Sequence, residues 1–255
     1  MMSAFPALRG LAMAASLLTP VMLSSAAAAE ALSPAQKGEV EALIQQYIMD
    51  HPEVIVQALQ TMQARQEAEA AERQQKAIAA LKSTLLADSR NPSTGPVDAD
   101  VTIIEFFDYQ CGYCKKVLPE VAAVLQGDPK VRMIWVDWPI LGPMSVVAAQ
   151  AASAVHKLKP EAYSAFHQTI MGERGRLTED KIFQAVAGLG LDVADVRKAM
   201  GSDDVQAHLA ANHAIASQLG ITGTPFFLVG DTAVPGAVDA DNLRRIIAET
   251  RKQAG

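Results

Sequence analysis

Residues 101–114 of this chain read VTIIEFFDYQCGYC, and much of the architecture can be worked out from them. The apolar run that ends at Phe107 predicts a buried strand, and a cysteine pair begins four residues later. Beyond the pair, apolar side chains recur at three- and four-residue steps and predict a helix, while residues 131–136 predict a second strand. Strand, helix and strand with short connections are typical of a parallel βαβ unit. The cysteines therefore fall where the first strand passes into the helix.

A cysteine at the start of a helix has an unusual electrostatic environment. Free backbone N–H groups and a partial positive charge at the helix N-terminus favour a thiolate over a thiol. We therefore expect Cys111 to be acidic and nucleophilic. Cys114 lies one turn further along, so we expect it to be a less exposed resolving thiol that can bond back to Cys111.

The C-x-x-C spacing alone is also compatible with half of a zinc site or with an inert local disulfide. Zinc requires about four ligands, whereas the chain has no other cysteine and its 5 histidines show no paired spacing beside the motif. The βαβ context favours a redox pair. No metal ligand and no cofactor are predicted, because the redox equivalents reside in the cysteine sulfurs themselves.

The rest of the chain completes an alternating pattern of helices and strands. Residues from about 144 to 219 are predicted to be helical. The sequence GTPF at 223–226 then leads into another strand, and a proline at the entry of a buried strand indicates a cis Thr224–Pro225 bond or a sheet edge. A last helix is predicted to start near residue 239 or 241.

Residues 30–90 are predicted to form an extended helical arm. Pro34 suits the start of a first helix, and Pro52 marks the boundary with a second. Each helix carries one apolar stripe that it cannot bury alone, and a polar stretch follows at residues 63–76. We therefore expect residues 33–62 to pack against copies of themselves in a dimer or trimer. The alternative is that the arm folds back onto the main domain.

Residues 1–29 are interpreted as a secretory signal peptide that is cleaved near Ala29. Arg9 is the only charged residue before Glu30, and an apolar stretch and then small residues follow it. Pro20 interrupts the apolar stretch, which is shorter than the ~20 residues of a membrane-spanning helix, so cleavage is favoured over a retained anchor. The mature protein is expected in an oxidising compartment, where a lone cysteine pair can cycle between thiol and disulfide.

The overall composition restricts the classes of function. The 255 residues are 50% hydrophobic and 20% charged, which is typical of a globular protein. Lys and Arg number 22 against 28 Asp and Glu, a net charge of −6, so the chain has no electrostatic basis for binding nucleic acid. With only 2 cysteines, a multi-disulfide scaffold is excluded.

Three features together resemble the DsbA-type thiol:disulfide oxidoreductases of the thioredoxin superfamily: the leader, the sequence EFFDYQCGYC at 105–114 and GTPF at 223–226. The resemblance implies an α/β thioredoxin fold preceded by the helical arm and containing a helical insertion at about residues 144–219. The chain is then divided into a signal peptide, an arm and a DsbA-like domain, at residues 1–29, 30–90 and 91–255.

The resemblance also implies how substrate is bound. Thr224 and Pro225 would form a cis-proline loop that faces the cysteines. This loop, together with Gly112 and Tyr113, would bind an extended client segment by strand addition. Gly112 and Tyr113 between the cysteines, with Thr224 before the proline, are similar to DsbC-type isomerases. The helical arm resembles that of ScsC-type proteins, which are oligomeric through their N-terminal helices.

These similarities imply a periplasmic protein that isomerises or reduces non-native disulfides in exported proteins and that is reset by a membrane redox partner. An isomerase must stay partly reduced so that Cys111 can attack a wrong disulfide. One alternative is a DsbA-like dithiol oxidase that introduces disulfides. A second alternative, from a different class, is a periplasmic copper-binding or holdase protein.

Glu105 is a further candidate for the site. It stands inside the first apolar strand, where DsbA-like proteins keep a buried acid beneath the resolving cysteine. A buried carboxyl has a raised pKa and could take the proton from Cys114. The alternative is a strand-edge side chain that points to water. Asp108, in the connection to the cysteines, is expected to be solvated.

Overall fold

The computed structural model describes residues 32–254, so the predicted signal peptide lies outside the described residues. Contacts within the chain divide it into two compact units, with the boundary between Thr61 and Met62. No helix within the described range is both long and apolar enough to span a bilayer.

The first unit consists of helix α1, Pro34–Asp50, and the start of helix α2, Glu53–Ala87. Ser33 caps α1 in a reciprocal arrangement with Gln36: the Ser33 Oγ accepts from the Gln36 N–H at 3.3 Å, and the Gln36 Oε1 accepts from the Ser33 N–H at 2.9 Å. The break between the two helices at residues 51–52 confirms the predicted boundary.

The end of α2 belongs to the second unit and is packed into its core. Ile78 and Leu85 are buried against Ile104 and Phe106. The apolar spacing resumes after the polar stretch, so these last turns of the predicted arm carry a buried face. Neither residue belongs to the two apolar stripes that were predicted for oligomerisation.

A mixed five-stranded sheet forms the centre of the second unit. Its strands are β1 Ser93–Thr94, β2 Val101–Phe107, β3 Val131–Asp137, β4 Phe226–Val229 and β5 Thr232–Pro235, in the order β1-β3-β2-β4-β5. The central strand β2 is parallel to β3 and antiparallel to β4, and the outer pairs are antiparallel. The parallel βαβ unit predicted around the cysteines is therefore present.

Helices cover the sheet. The crossover helix α3, Gly112–Gly127, joins β2 to β3. Between β3 and β4 come α4 Pro143–Leu158, a 3-10 turn Pro160–Ala162, α5 Tyr163–Gly172, α6 Glu179–Gly188, α7 Val193–Met200 and α8 Asp203–Gln218, and α9 Ala240–Ala254 ends the described chain. This is the thioredoxin fold with a helical insertion, as the resemblance implied.

Alternate side chains of β2 face opposite layers, because successive residues of a strand point to opposite sides of a sheet. Ile104 and Phe106 belong to the cluster that contains the end of α2 and part of α8. Ile103 and Phe107 belong to the larger cluster, which contains α3, most of the insertion and α9. Glu105 therefore lies on the same side of the sheet as α3 and the cysteines.

Candidate active site

Cys111 is the residue that caps the N-terminus of α3. The turn after β2 places it there, and its backbone N–H donates to the Asp108 carbonyl at 2.9 Å. Its Sγ accepts a hydrogen bond from the Cys114 N–H at 3.3 Å, one of the free donors of the first helical turn. Both cysteines are free thiols in this structure, and both are buried.

The surroundings of Cys111 favour its ionised form. The pKa of Cys111 is lowered from 9.0 to about 5, chiefly because the Cys114 thiol donates a hydrogen bond to the sulfur. The Thr224 side chain and the backbone N–H groups of Cys114 and Tyr113 lower the pKa further, and burial opposes them. At neutral pH the Cys111 sulfur is therefore a thiolate.

Cys114 has the opposite character. Its pKa is raised well above its usual value, first because its thiol hydrogen-bonds to Cys111 and then because it is buried. The side chain has 0% of its surface exposed. The two cysteines therefore differ in the expected direction: the pKa of Cys111 is lowered, and the pKa of the more deeply buried Cys114 is raised.

Thr224 and Pro225 lie next to Cys111. The antiparallel pairing of Phe106 with Phe226 brings the residues that precede β4 to the end of β2, where α3 begins. The Thr224–Pro225 peptide bond is cis. The Cys111 Sγ lies 3.3 Å from the Thr224 carbonyl oxygen. Residues 113 and 224, separated by more than a hundred positions in the sequence, thus border the same sulfur.

Gly112 and Tyr113 form the open side of this arrangement. Both are exposed, and Tyr113 shows 65% of its surface to solvent although it is a large aromatic side chain. The residues between the cysteines are therefore available to a polypeptide that approaches Cys111.

Glu105 is buried in the centre of the sheet rather than placed at its edge. Its neighbours across the sheet are Trp135 on β3 and Phe227 on β4, and 4% of its surface is exposed. Its pKa is raised from 4.5 to about 8, first by burial and then by the negative charge of Cys111. The carboxyl group can therefore hold or release a proton near neutral pH.

A cavity of about 220 Å³ connects the acid with the resolving cysteine. Glu105 and Cys114 both line it, together with Trp135 and His167. The Nδ1 of His167 lies 3.3 Å from the Tyr109 hydroxyl, and burial lowers the pKa of His167 to about 3, so the ring is neutral. The cavity is large enough for several waters, and its walls contain polar groups as well as apolar ones, which suits proton exchange between Glu105 and Cys114.

Asp108 is buried, and the expectation that it is solvated is wrong. Its carboxylate accepts four hydrogen bonds from the turn before Cys111 and from the loop and helix after β3: Gln110 N at 2.7 Å, Ile140 N at 2.8 Å, Leu141 N at 2.9 Å and Ser145 Oγ at 2.7 Å. These bonds offset the cost of burying the charge and fix the turn that presents Cys111. The bond from the Gln110 N–H is an Asx-type contact between residues two positions apart. An Asp two residues before Gln110 is the one feature of the sequence that could have indicated that Asp108 fixes this turn.

Within residues 32–254, no three His, Cys, Asp or Glu side chains come together as a set of metal ligands. Pairs of such residues occur, among them Cys111 and Cys114, but no group of the required size surrounds them.

Two family models match the chain. The DsbA-like thioredoxin domain matches residues 102–248, which include both cysteines, Glu105 and the cis-proline. The N-terminal domain of the copper resistance protein ScsC matches residues 36–69, within the predicted helical arm.

Solved structures give the same result. A linker-deletion mutant of Proteus mirabilis ScsC is 32% identical, with a TM-score of 0.68 over 89% of this chain and 100% of that chain. A thioredoxin-like oxidoreductase from Silicibacter pomeroyi is 39% identical, with a TM-score of 0.63 over 66% of this chain and 96% of that chain.

Two curated relatives differ in how much of their length the match covers. A probable disulfide bond formation protein D from Bacillus cereus is 26% identical over an alignment of 181 residues, and the match covers 66% of this chain and 82% of the relative. The Na(+)/H(+) antiporter NhaA 1 of Salinispora arenicola is 26% identical over 156 residues, but the match spans 24% of its length and 60% of this chain. With the cysteine geometry and the family matches, these likenesses show that the chain belongs to the DsbA-like thioredoxin-domain family of thiol-disulfide oxidoreductases and carries an N-terminal segment of ScsC type.

Proposed function

We propose that this protein is a periplasmic thiol:disulfide interchange protein that isomerises or reduces non-native disulfides in exported proteins. The observation that carries the proposal is the lowered pKa of Cys111 at the start of α3, with the Thr224 carbonyl 3.3 Å from its sulfur. A thiolate is the attacking species in disulfide exchange.

The first step forms a mixed disulfide. The Cys111 thiolate attacks one sulfur of a client disulfide, a Cys111–client S–S bond forms, and the other client sulfur leaves as a thiolate. If a second client thiolate then attacks the mixed disulfide, Cys111 is released unchanged and the client has exchanged one disulfide for another. This isomerisation route has no net oxidation or reduction.

The second route is reduction of the client. Cys114 loses its proton and attacks the Cys111 sulfur, so that a Cys111–Cys114 disulfide forms and the client leaves with two thiols. We assign to Glu105 the acceptance of the Cys114 proton, and the cavity that both groups line supports this assignment. The oxidised protein then needs two electrons from a dithiol reductase, which we assign to a membrane redox partner.

Client binding is assigned to the exposed edge around Cys111. The Thr224 backbone next to Pro225 offers main-chain groups to an extended segment, and Gly112 leaves room for its approach. Main-chain hydrogen bonds ignore side-chain identity, which suits an enzyme that acts on many exported proteins. Tyr113 can stack on the client from the open side.

Oligomerisation is assigned to residues 33–62. Large apolar side chains remain exposed there although a monomer in water would bury them. Nine of them have 41% to 75% of their surface exposed: Val40, Leu43, Ile44, Tyr47, Met49, Ile55, Val56, Leu59 and Met62. An oligomer would bury this surface and would place several Cys111 thiolates around one misfolded client.

The test replaces the apolar stripe of α1 in the full-length mature protein by the triple change Leu43→Gln, Ile44→Gln and Tyr47→Gln. These side chains lie on one face of the helix, because the helix turns 100° per residue. We expect light scattering to show a multiple of the monomer mass for the wild type and one monomer mass for the variant. Reactivation of a scrambled multi-disulfide client should fall about tenfold in the variant, since one thiol then acts alone.

The matched control is Ala42→Gln/Gln45→Ala on the opposite face of α1, outside the proposed oligomerisation surface, which should leave mass and reactivation unchanged. We use substitutions in the first unit rather than a deletion of residues 30–90. Ile78 and Leu85 belong to the domain core, so a deletion that removed them would expose that core to solvent. A wild type of monomer mass, or full reactivation by a monomeric triple variant, would contradict the oligomeric isomerase.

A dithiol oxidase is the second candidate function. The observation that favours it is again the Cys111 pKa of about 5, because a stabilised thiolate stabilises the reduced protein and makes the disulfide form more oxidising. Two client assays distinguish the oxidase from the isomerase. An oxidase in its disulfide form oxidises a reduced unfolded client, whereas an isomerase in its dithiol form reactivates a scrambled one.

A further inference from the structure

A groove of about 640 Å³ lies beside the active site, between the first half of α3 and the loop that follows α5. Gly112, next to Cys111, forms part of its wall. Four basic side chains also line it, and they define what we call the basic groove: Lys115, Lys116, Arg174 and Arg176.

The basic groove is a local exception in an acidic protein. The chain carries a net charge of −6. Among residues 32–254, Glu173 is the single acidic residue that lines the groove, and its carboxylate is paired with Lys181 at 2.6 Å. Three of the four cations, Lys116, Arg174 and Arg176, are exposed, and none of them forms an ion pair with a carboxylate of residues 32–254. Their positive charge is therefore available to a ligand.

Lys115 has a structural part in the groove. Its Nζ donates to the Glu173 carbonyl at 2.7 Å, which ties α3 to the loop after α5. The side chain is half-buried, and burial lowers its pKa. The groove is thus a shaped part of the fold and its two walls are linked by a hydrogen bond.

We propose that the basic groove binds acidic side chains that flank the reacting cysteine of a client, and so makes clients with Asp or Glu near that cysteine the preferred substrates. The inference rests on the proposed function, since it names the class of client for that site. A client sulfur that reaches Cys111 carries its flanking residues across Gly112, which is where the groove begins. Complementary charge there raises the rate of productive encounter.

The test uses reduced full-length mature protein and three disulfide-linked peptides of equal length, in which the cysteine is flanked on both sides by Glu, by Gln or by Lys. The rate of attack by Cys111 is measured by stopped flow at low ionic strength and at about 1 M salt. We expect the Glu peptide to react about tenfold faster than the Lys peptide at low salt, because opposite charges steer association. At about 1 M salt the Debye length falls to ~3 Å, and the difference should vanish.

The variant Lys116→Glu/Arg174→Glu/Arg176→Glu should reverse the preference. The matched control, Lys130→Glu/Lys198→Glu/Lys252→Glu, changes the net charge equally at exposed positions outside the groove and should keep the wild-type preference. Alkylation of Cys111 by iodoacetamide, a neutral reagent, should be equal in all three proteins. Equal alkylation rates would show that any change in peptide preference comes from peptide binding in the groove and not from altered reactivity of the Cys111 thiolate.

Equal rates for the Glu and Lys peptides would overturn the inference, and so would a Glu preference that persists in the groove variant. Either result leaves the proposed function standing as long as the Gln peptide is attacked. If none of the three peptides forms a mixed disulfide with Cys111, the proposed function itself fails.

Discussion

Replacing Cys114 with alanine is expected to leave client proteins covalently attached to Cys111. In the wild type, Cys114 is held one helical turn away, with its backbone N–H 3.3 Å from the Cys111 sulfur, so that it resolves the mixed disulfide within the same molecule. Intramolecular attack from a fixed position exceeds attack by dilute external thiols by several orders of magnitude. We expect the lifetime of the mixed disulfide to increase at least about a hundredfold.

Adducts are measured by non-reducing electrophoresis of cell extracts and identified by mass spectrometry after addition of reductant. The double variant Cys111→Ala/Cys114→Ala is the control, because it has no sulfur to attack. Adducts absent from the Cys114→Ala lane, or equally abundant in the control, would show that Cys111 is not the attacking group.

Glu105→Gln is expected to stabilise the reduced protein at neutral and alkaline pH. Burial in the folded protein raises the pKa of Glu105 from 4.5 to about 8, so the folded state favours the neutral carboxyl group. Below pH 4.5 the carboxyl is neutral in both the folded and the unfolded chain, and its contribution to the free energy of unfolding is at its maximum. It is lost as the pH rises from 4.5 to 8, because the unfolded chain ionises freely while the buried group does not. At about 1.36 kcal/mol per pH unit, the wild type should be less stable than the variant by about 3 kcal/mol at pH 7.

The measurement is urea unfolding of the wild type and of the variant between pH 4 and pH 9. The two free energies of unfolding should agree near pH 4 and separate as the pH rises. Glu161→Gln, which removes an exposed carboxyl, is the matched control and should follow the wild type at every pH. A constant difference between Glu105→Gln and the wild type across this range would show that the carboxyl keeps an ordinary pKa in the folded protein.

The βαβ unit and the place of its cysteines could be predicted from sequence because both are local. The apolar run to Phe107 and the helical spacing beyond Cys114 determine where strand and helix meet, and the positions of the two sulfurs follow. The burial of Glu105 was also predictable, since a single acid inside an apolar strand of a parallel unit lies between neighbours on both sides. Its catalytic role stays a prediction.

What the sequence could not show depends on distant contacts. Three of the hydrogen-bond donors to Asp108 lie 32 to 37 residues away, so its burial leaves no periodic signal. Ile78 and Leu85 follow a long polar stretch, and their partners on β2 come from a separate element. The basic groove likewise joins residues 115–116 to residues 174–176, which only the packing of α5 against α3 brings together.

The pH dependence of Cys111 alkylation tests the central claim most directly. The reduced wild type is treated with iodoacetamide between pH 4 and pH 10, and modification of Cys111 is followed by mass spectrometry, which distinguishes it from Cys114. The structure predicts a rate that reaches half its plateau at a pH of about 5, because hydrogen bonds from Cys114, Thr224 and the first turn of α3 stabilise the thiolate. A half-plateau near the ordinary cysteine value of 9.0 would contradict the account.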